Sequence, residues 1–111
     1  MLKEAKENFK NKCYGSAVIM AYLSMLNAAK AVLWKDGFKE RSHICVARYL
    51  EEKYVKRKKL DMSFISLFER FRHLRHEEQY ELSYFATETD AKEILIYAPK
   101  FIKEMERLIK Q

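Results

Sequence analysis

Glycine occurs only twice in the 111 residues, at Gly15 and Gly37, and proline once, at Pro99. Sandwiches and barrels join many short strands through turns that draw on these two residue types, so their scarcity argues against an all-β fold. A phosphate-cradling loop needs several glycines close together, and Gly15 and Gly37 stand too far apart to form one. P-loop and dinucleotide-binding folds are thereby excluded. Cysteine is scarce too. Cys13 and Cys45 form no Cys-x-x-Cys pair, and two cysteines do not make a disulfide scaffold, although their spacing leaves a single bridge open. The opening residues, Met1-Leu2-Lys3-Glu4-Ala5-Lys6-Glu7, contain no apolar signal-peptide core. The longest apolar stretch, Ala17 to Leu33, is short for a membrane span and contains Lys30, which would be costly in lipid. It reads as the buried helix of a cytoplasmic protein with no membrane partner.

The chain has the length of a single domain spanning residues 1–111, large enough for one core and too small for two. Hydrophobic residues at 49% and charged residues at 34% fit a globular domain rather than a disordered tail. The formal net charge of +6 permits an acidic partner such as RNA, and is equally an ordinary charge for solubility.

Five helical segments follow from the periodicity. The first, about 2–12, is charged and carries few apolar residues. The second begins at a turn around Gly15, with Ser16 as a cap, and runs to Lys35. Its apolar face is Val18, Tyr22, Met25, Ala29 and Val32, widened by Ala21, Leu26 and Leu33, and Asp36-Gly37 ends it. The third starts at Ser42 and reaches Arg57, with His43, Val46, Ala47, Leu50 and Tyr54 on one stripe. The fourth starts after Asp61 or Ser63 and ends near Tyr80, with a core face of Phe64, Leu67, Phe68, Phe71 and Leu74. The fifth starts near Thr89 or Asp90, with Asp90 and Glu93 as a capping pair. It carries Ile94, Tyr97, Ala98, Phe101, Met105 and Leu108, and Pro99 predicts a bend near 95–99. Short loops between amphipathic helices predict an all-α, up-and-down bundle of four to five helices.

The stretch from Phe68 to Tyr80 carries the most chemistry. At about 100° per residue, Phe64, Leu67, Phe68 and Leu74 lie within about 60° of Phe71, and Arg75 lies about 40° from it. An arginine on an apolar face keeps its proton and needs a carboxylate, a carbonyl, an aromatic face or a partner molecule. Pairing with a core-edge carboxylate such as Glu78 is the plain alternative. His73, His76, Glu77 and Tyr80 share the opposite side, without a third ligand at a metal-site spacing, so they read as a solvated polar face and no metal or other cofactor is expected. His43, Cys13 and Cys45 read as packing residues. The basic run Lys53, Lys56, Arg57, Lys58 and Lys59, with Arg72 among the arginines of the fourth helix, offers phosphate contacts. Part of the run also suits the negative end of a helix dipole.

Several pieces in order resemble one family. Ala21 to Leu33 is similar to the AYYAMFHAARALL-type helix of HEPN domains. Gly37-Phe38-Lys39-Glu40-Arg41-Ser42-His43 resembles their GF…KSH entry to the third helix. Lys59-Leu60-Asp61 then precedes the fourth helix, and Arg75-His76-Glu77-Glu78-Gln79-Tyr80 resembles the R-x4-Y ending of a small stand-alone prokaryotic branch. The resemblance covers Ser16 to the C-terminus. In active HEPN ribonucleases an arginine and a polar residue precede a histidine. By resemblance Arg75 is that arginine, His76 the polar residue, and Tyr80 stands where the histidine would be; no histidine follows His76.

The resemblance implies a homodimer with facing motifs and RNA as the target. It also implies a toxin–antitoxin-like pairing with a minimal nucleotidyltransferase, which would adenylylate Tyr80 or Tyr84. Metal-independent cleavage by the RNA 2′-hydroxyl needs a base, an acid and a cation beside the phosphate. Arg75 can clamp the phosphate, His76 titrates near neutrality, and Tyr80 can donate a hydrogen bond. The missing histidine points the other way, to a catalytically inactive module that binds RNA, nucleotide or the nucleotidyltransferase. A plain helical dimerisation or scaffold protein is the third reading.

Overall fold

The structure, a computed structural model, describes residues 2–38, 43–80 and 87–110, with side chains described at all of these except 43–45 and 75–80. Five helices account for nearly all of this backbone: α1 (Leu2–Lys10), α2 (Tyr14–Lys35), α3 (His43–Leu50), α4 (Met62–Tyr80) and α5 (Glu88–Ile109). A π-helical turn, Glu51–Val55, extends α3. No strand occurs among the described residues, and the fold is an all-α bundle.

The apolar stripe of α2 makes it the central helix. Val18, Tyr22, Met25, Ala29 and Val32 are all buried, as are Ala21, Leu26 and Leu33 beside them. α2 packs against α5, α1, α4 and α3. By length and mean hydropathy it is the one described helix apolar enough to cross a membrane, but half of that window is buried inside the bundle. The core is knit by aromatic rings from three helices. Phe68 of α4 lies 5.4 Å from Phe101 of α5 and 5.4 Å from Tyr22 of α2, centroid to centroid, and all three are fully buried. Ile65, absent from the predicted face of α4, is buried, while Phe64, Leu67 and Leu74 are only partly so.

The helix starts differ from expectation in instructive ways. α2 begins two residues before Ser16, with Cys13 at its N-cap and no side-chain cap; the Cys13 thiol is free and exposed rather than packed. α4 starts as expected, with Asp61 Oδ1 accepting from the Ser63 amide at 2.8 Å. α5 begins two residues before Asp90. Thr87 is its N-cap, and Thr87 and Asp90 exchange side-chain-to-backbone hydrogen bonds of 3.1 Å in a capping box. A threonine at N-cap with an acidic N3 residue satisfies two otherwise orphaned amides, which outweighs the Asp90–Glu93 alternative. α5 then runs as one helix through Pro99.

Three helix ends close in the same way. At the end of α2, Gly37 N–H donates to Trp34 O (2.9 Å) and Phe38 N–H to Leu33 O (2.8 Å), with Gly37 at φ +79°. This paired closure around a left-handed residue is the usual glycine-dependent helix stop. The same pair of bonds ends α1 around Lys12 (φ 62°) and ends the π-turn around Lys58 (φ 60°). A Cβ at Gly37 would meet nothing within 4 Å, so Gly37→Ala carries only the backbone cost, about 1 kcal/mol. Lys58→Gly relieves the same strain and is expected to gain up to about 1 kcal/mol. Urea midpoints check both; an unchanged Gly37→Ala midpoint would show that the left-handed turn is not strained by a side chain.

Candidate functional site

A cluster of polar groups lies where the end of α2 meets the π-turn. Asp36 caps α2, and the glycine stop after it brings its carboxylate alongside α3. Asp36 Oδ2 accepts hydrogen bonds from Tyr49 Oη at 2.9 Å and Tyr54 Oη at 2.6 Å. In a continuous α-helix two residues five apart point about 140° away from each other. The π-turn inserts the extra residue that aligns them, marked by Lys56 N–H donating to Glu51 O at 3.0 Å. Both hydroxyls therefore reach one carboxylate oxygen. Phe38 stacks on Tyr49 at 4.9 Å and covers its outer face.

These bonds fix the protonation states. Burial pushes the Tyr49 hydroxyl up to about 12, helped by its bond to Asp36 and the carboxylate's charge. Tyr54 is raised further for the same reasons. Burial alone would raise the Asp36 carboxyl, but the bonds from Tyr54 and Tyr49 and the charges of Lys35 and Lys53 hold it below its ordinary value. The depressed carboxyl contributes stability that is present above its unfolded-state value of 3.8 and is lost as pH falls through the lower folded value. Asp36→Asn is therefore expected to flatten the acid limb of the stability profile below about pH 4. It costs about 1 kcal/mol near neutrality, the exposed carboxylate being screened by water. An acid limb identical to wild type would exclude this linkage.

Around this cluster is an open pocket of about 350 Å³ whose walls carry Lys35, Lys53, Arg57 and Lys59 as well as Asp36 and the two tyrosines. Lys35 Nζ donates to Leu108 O at 3.0 Å, and Arg107 of α5 donates to Lys59 O at 2.6 Å, so the last turn of α5 holds both sides of the pocket. Among the described residues, the side chains of Lys53, Arg57 and Lys59 make no hydrogen bond or ion pair with the protein. The left-handed turn at Lys58 folds the chain back so that Lys59 faces the same pocket as Lys53 and Arg57.

The other expected phosphate contacts are placed differently. Lys58 is exposed outside the pocket lining. Lys56 pairs with Glu52 at 2.7 Å across one exposed helical turn. Arg72 is committed to Glu69 at 3.1 Å, and its neighbour Arg70 pairs with Glu93 on α5. Arg75, His76 and Tyr80 fall on the last turns of α4, and their side chains lie outside the described residues, as do those of His43 and Cys45; Tyr84 lies outside the described residues altogether. Lys35, Asp36 and Tyr49 escaped the sequence reading. Their only local signals were a lysine and an aspartate at a helix stop and a tyrosine off the apolar stripe.

The family model of the HEPN domain matches residues 1–108, nearly the whole chain. No curated protein matches it.

Proposed function

The chain belongs to the HEPN domain family, and we propose that it is a cytoplasmic, RNA-associated protein of a toxin–antitoxin-like pair. The observation that carries the RNA reading is the convergence of Lys53, Arg57 and Lys59, whose side chains make no hydrogen bond or ion pair among the described residues, on one face of a chain of net charge +6. Cations in excess of the carboxylate beside them are available to displace counterions from a phosphate backbone, the main source of affinity for nucleic acid. A homodimer, and a minimal nucleotidyltransferase that modifies Tyr80 or Tyr84, belong to the same proposal. A mass increase by one or more AMP units after co-expression with such an enzyme would support that pairing; unmodified tyrosines in a functioning pair would remove it.

A second reading is a metal-independent endoribonuclease built on Arg75, His76 and Tyr80. It is favoured by the register of α4, which continues as one helix from the buried Phe71 to Arg75 and on to Tyr80. Arg75 would stabilise the charge accumulating on the phosphate, His76 would exchange the proton, and Tyr80 would donate a hydrogen bond. Purified protein incubated with total RNA separates the two readings. RNA cleavage that survives EDTA and vanishes in Arg75→Ala establishes the nuclease. Intact RNA in every arm, with binding retained, assigns the inactive binding module.

A further inference from the structure

The pocket at the end of α2 gathers several cations around a single carboxylate. Its walls set four cations against one carboxylate, a net formal charge of +3. The carboxylate sits with Tyr49 and Tyr54, which hold it by hydrogen bonds. Both tyrosine hydroxyls bond Asp36 Oδ2, and Oδ1 takes no hydrogen bond among the described residues, so one acceptor remains open beside the cations. A volume of about 350 Å³ is near the lower end of small-molecule sites, room for about one nucleotide unit. A doubly charged phosphate suits this excess of positive charge better than the single charge of an internal phosphodiester, and a neighbouring sugar hydroxyl suits Asp36 Oδ1. The backbone around the pocket is also unusual twice over. A π-turn and a left-handed lysine follow each other within eight residues, and such irregularities gather at functional sites.

We propose that this pocket captures a terminal phosphate monoester, the phosphorylated end of an RNA chain, with Lys53, Arg57 and Lys59 on the phosphate oxygens and Asp36 accepting from the adjoining sugar hydroxyl. The inference rests on the RNA-associated reading for the source of the phosphate, and it adds recognition of the chain end.

The test uses the whole protein and four probes: one RNA oligonucleotide with a 5′-phosphate, the same sequence with a 3′-phosphate, the same sequence with hydroxyls at both ends, and a nucleoside 5′-monophosphate. Binding is measured by titration at constant ionic strength. One phosphorylated end is expected to bind at least about tenfold tighter than the hydroxyl-ended chain, a gain of the size that charge-assisted contacts supply. That preference is expected to disappear in Lys53→Ala/Arg57→Ala, and separately in Lys59→Ala, in case either variant folds poorly. Equal affinity for all three oligonucleotides overturns the inference and leaves the RNA reading standing. Failure of every oligonucleotide to bind overturns both. A mononucleotide that binds as tightly as the phosphorylated RNA, with the same loss in the variants, supports the phosphate pocket and assigns it to a free nucleotide, against the chain-end source.

Discussion

Phe68→Ala is expected to lower the unfolding free energy by about 3–5 kcal/mol, the range for removing a fully buried phenylalanine. The ring lies at the meeting point of three helices, stacked on Phe101 at an interplanar angle of 14° and tilted against Tyr22 at 34°. Its loss removes both aromatic contacts and leaves a cavity lined by residues fixed in α2 and α5, two helices that pack closely on each other and have little freedom to collapse. Domains of this size are stable by about 5–15 kcal/mol, so the variant stands near the edge of folding and is best measured at low temperature by urea unfolding. Phe68→Leu retains most of the volume and is expected to lose far less. A midpoint for Phe68→Ala indistinguishable from wild type would show that α4 is not part of the cooperative core.

Replacing Lys53, Arg57 and Lys59 together by alanine is expected to weaken RNA binding by about 10–100-fold at low salt. The slope of log affinity against log salt falls by roughly 2, at about 0.7 per phosphate contact on a single strand. The fold is expected to survive, because all three side chains are exposed and make no hydrogen bond or ion pair among the described residues. Lys56→Ala is the matched control. Its ammonium is already paired with Glu52, and its removal is expected to change affinity much less. Equal losses from Lys56 and from the triple replacement would reduce the site to diffuse charge. Binding of the triple variant at wild-type strength at every salt concentration would remove the pocket from RNA contact.

What the sequence makes legible follows from how local the physics is. The core faces of α2 and α5 could be read off because a helical stripe of Val18, Tyr22 and Met25, or of Ile94, Ala98 and Phe101, is set by spacing alone. The stop at Asp36-Gly37 was readable for the same reason: the left-handed turn favours a glycine just after the last helical residues. Lys12 and Lys58 adopt that conformation without glycine, so their turns left no mark. The α5 cap fell at Thr87 because two acceptable capping pairs overlap there and only tertiary placement chooses between them. The pocket was half visible. Lys53, Arg57 and Lys59 stood out within a basic run, but the run does not separate them from Lys56, which is paired with Glu52 one turn away. Asp36 joins the site across 13 and 18 residues of chain, through a π-turn that no periodicity announces. Arg75 stood out by its register on the apolar face of α4, set by Phe68 and Phe71, and family resemblance joined it to His76 and Tyr80.

The proposed function has RNA held by Lys53, Arg57 and Lys59 in the pocket where α2 ends. Titrating the wild-type protein into a labelled single-stranded RNA over a series of salt concentrations tests it most directly. With three cations engaged, affinity is expected to fall linearly on log axes with a slope of about −2 or steeper. No binding at low salt, or binding that ignores salt, would contradict the claim.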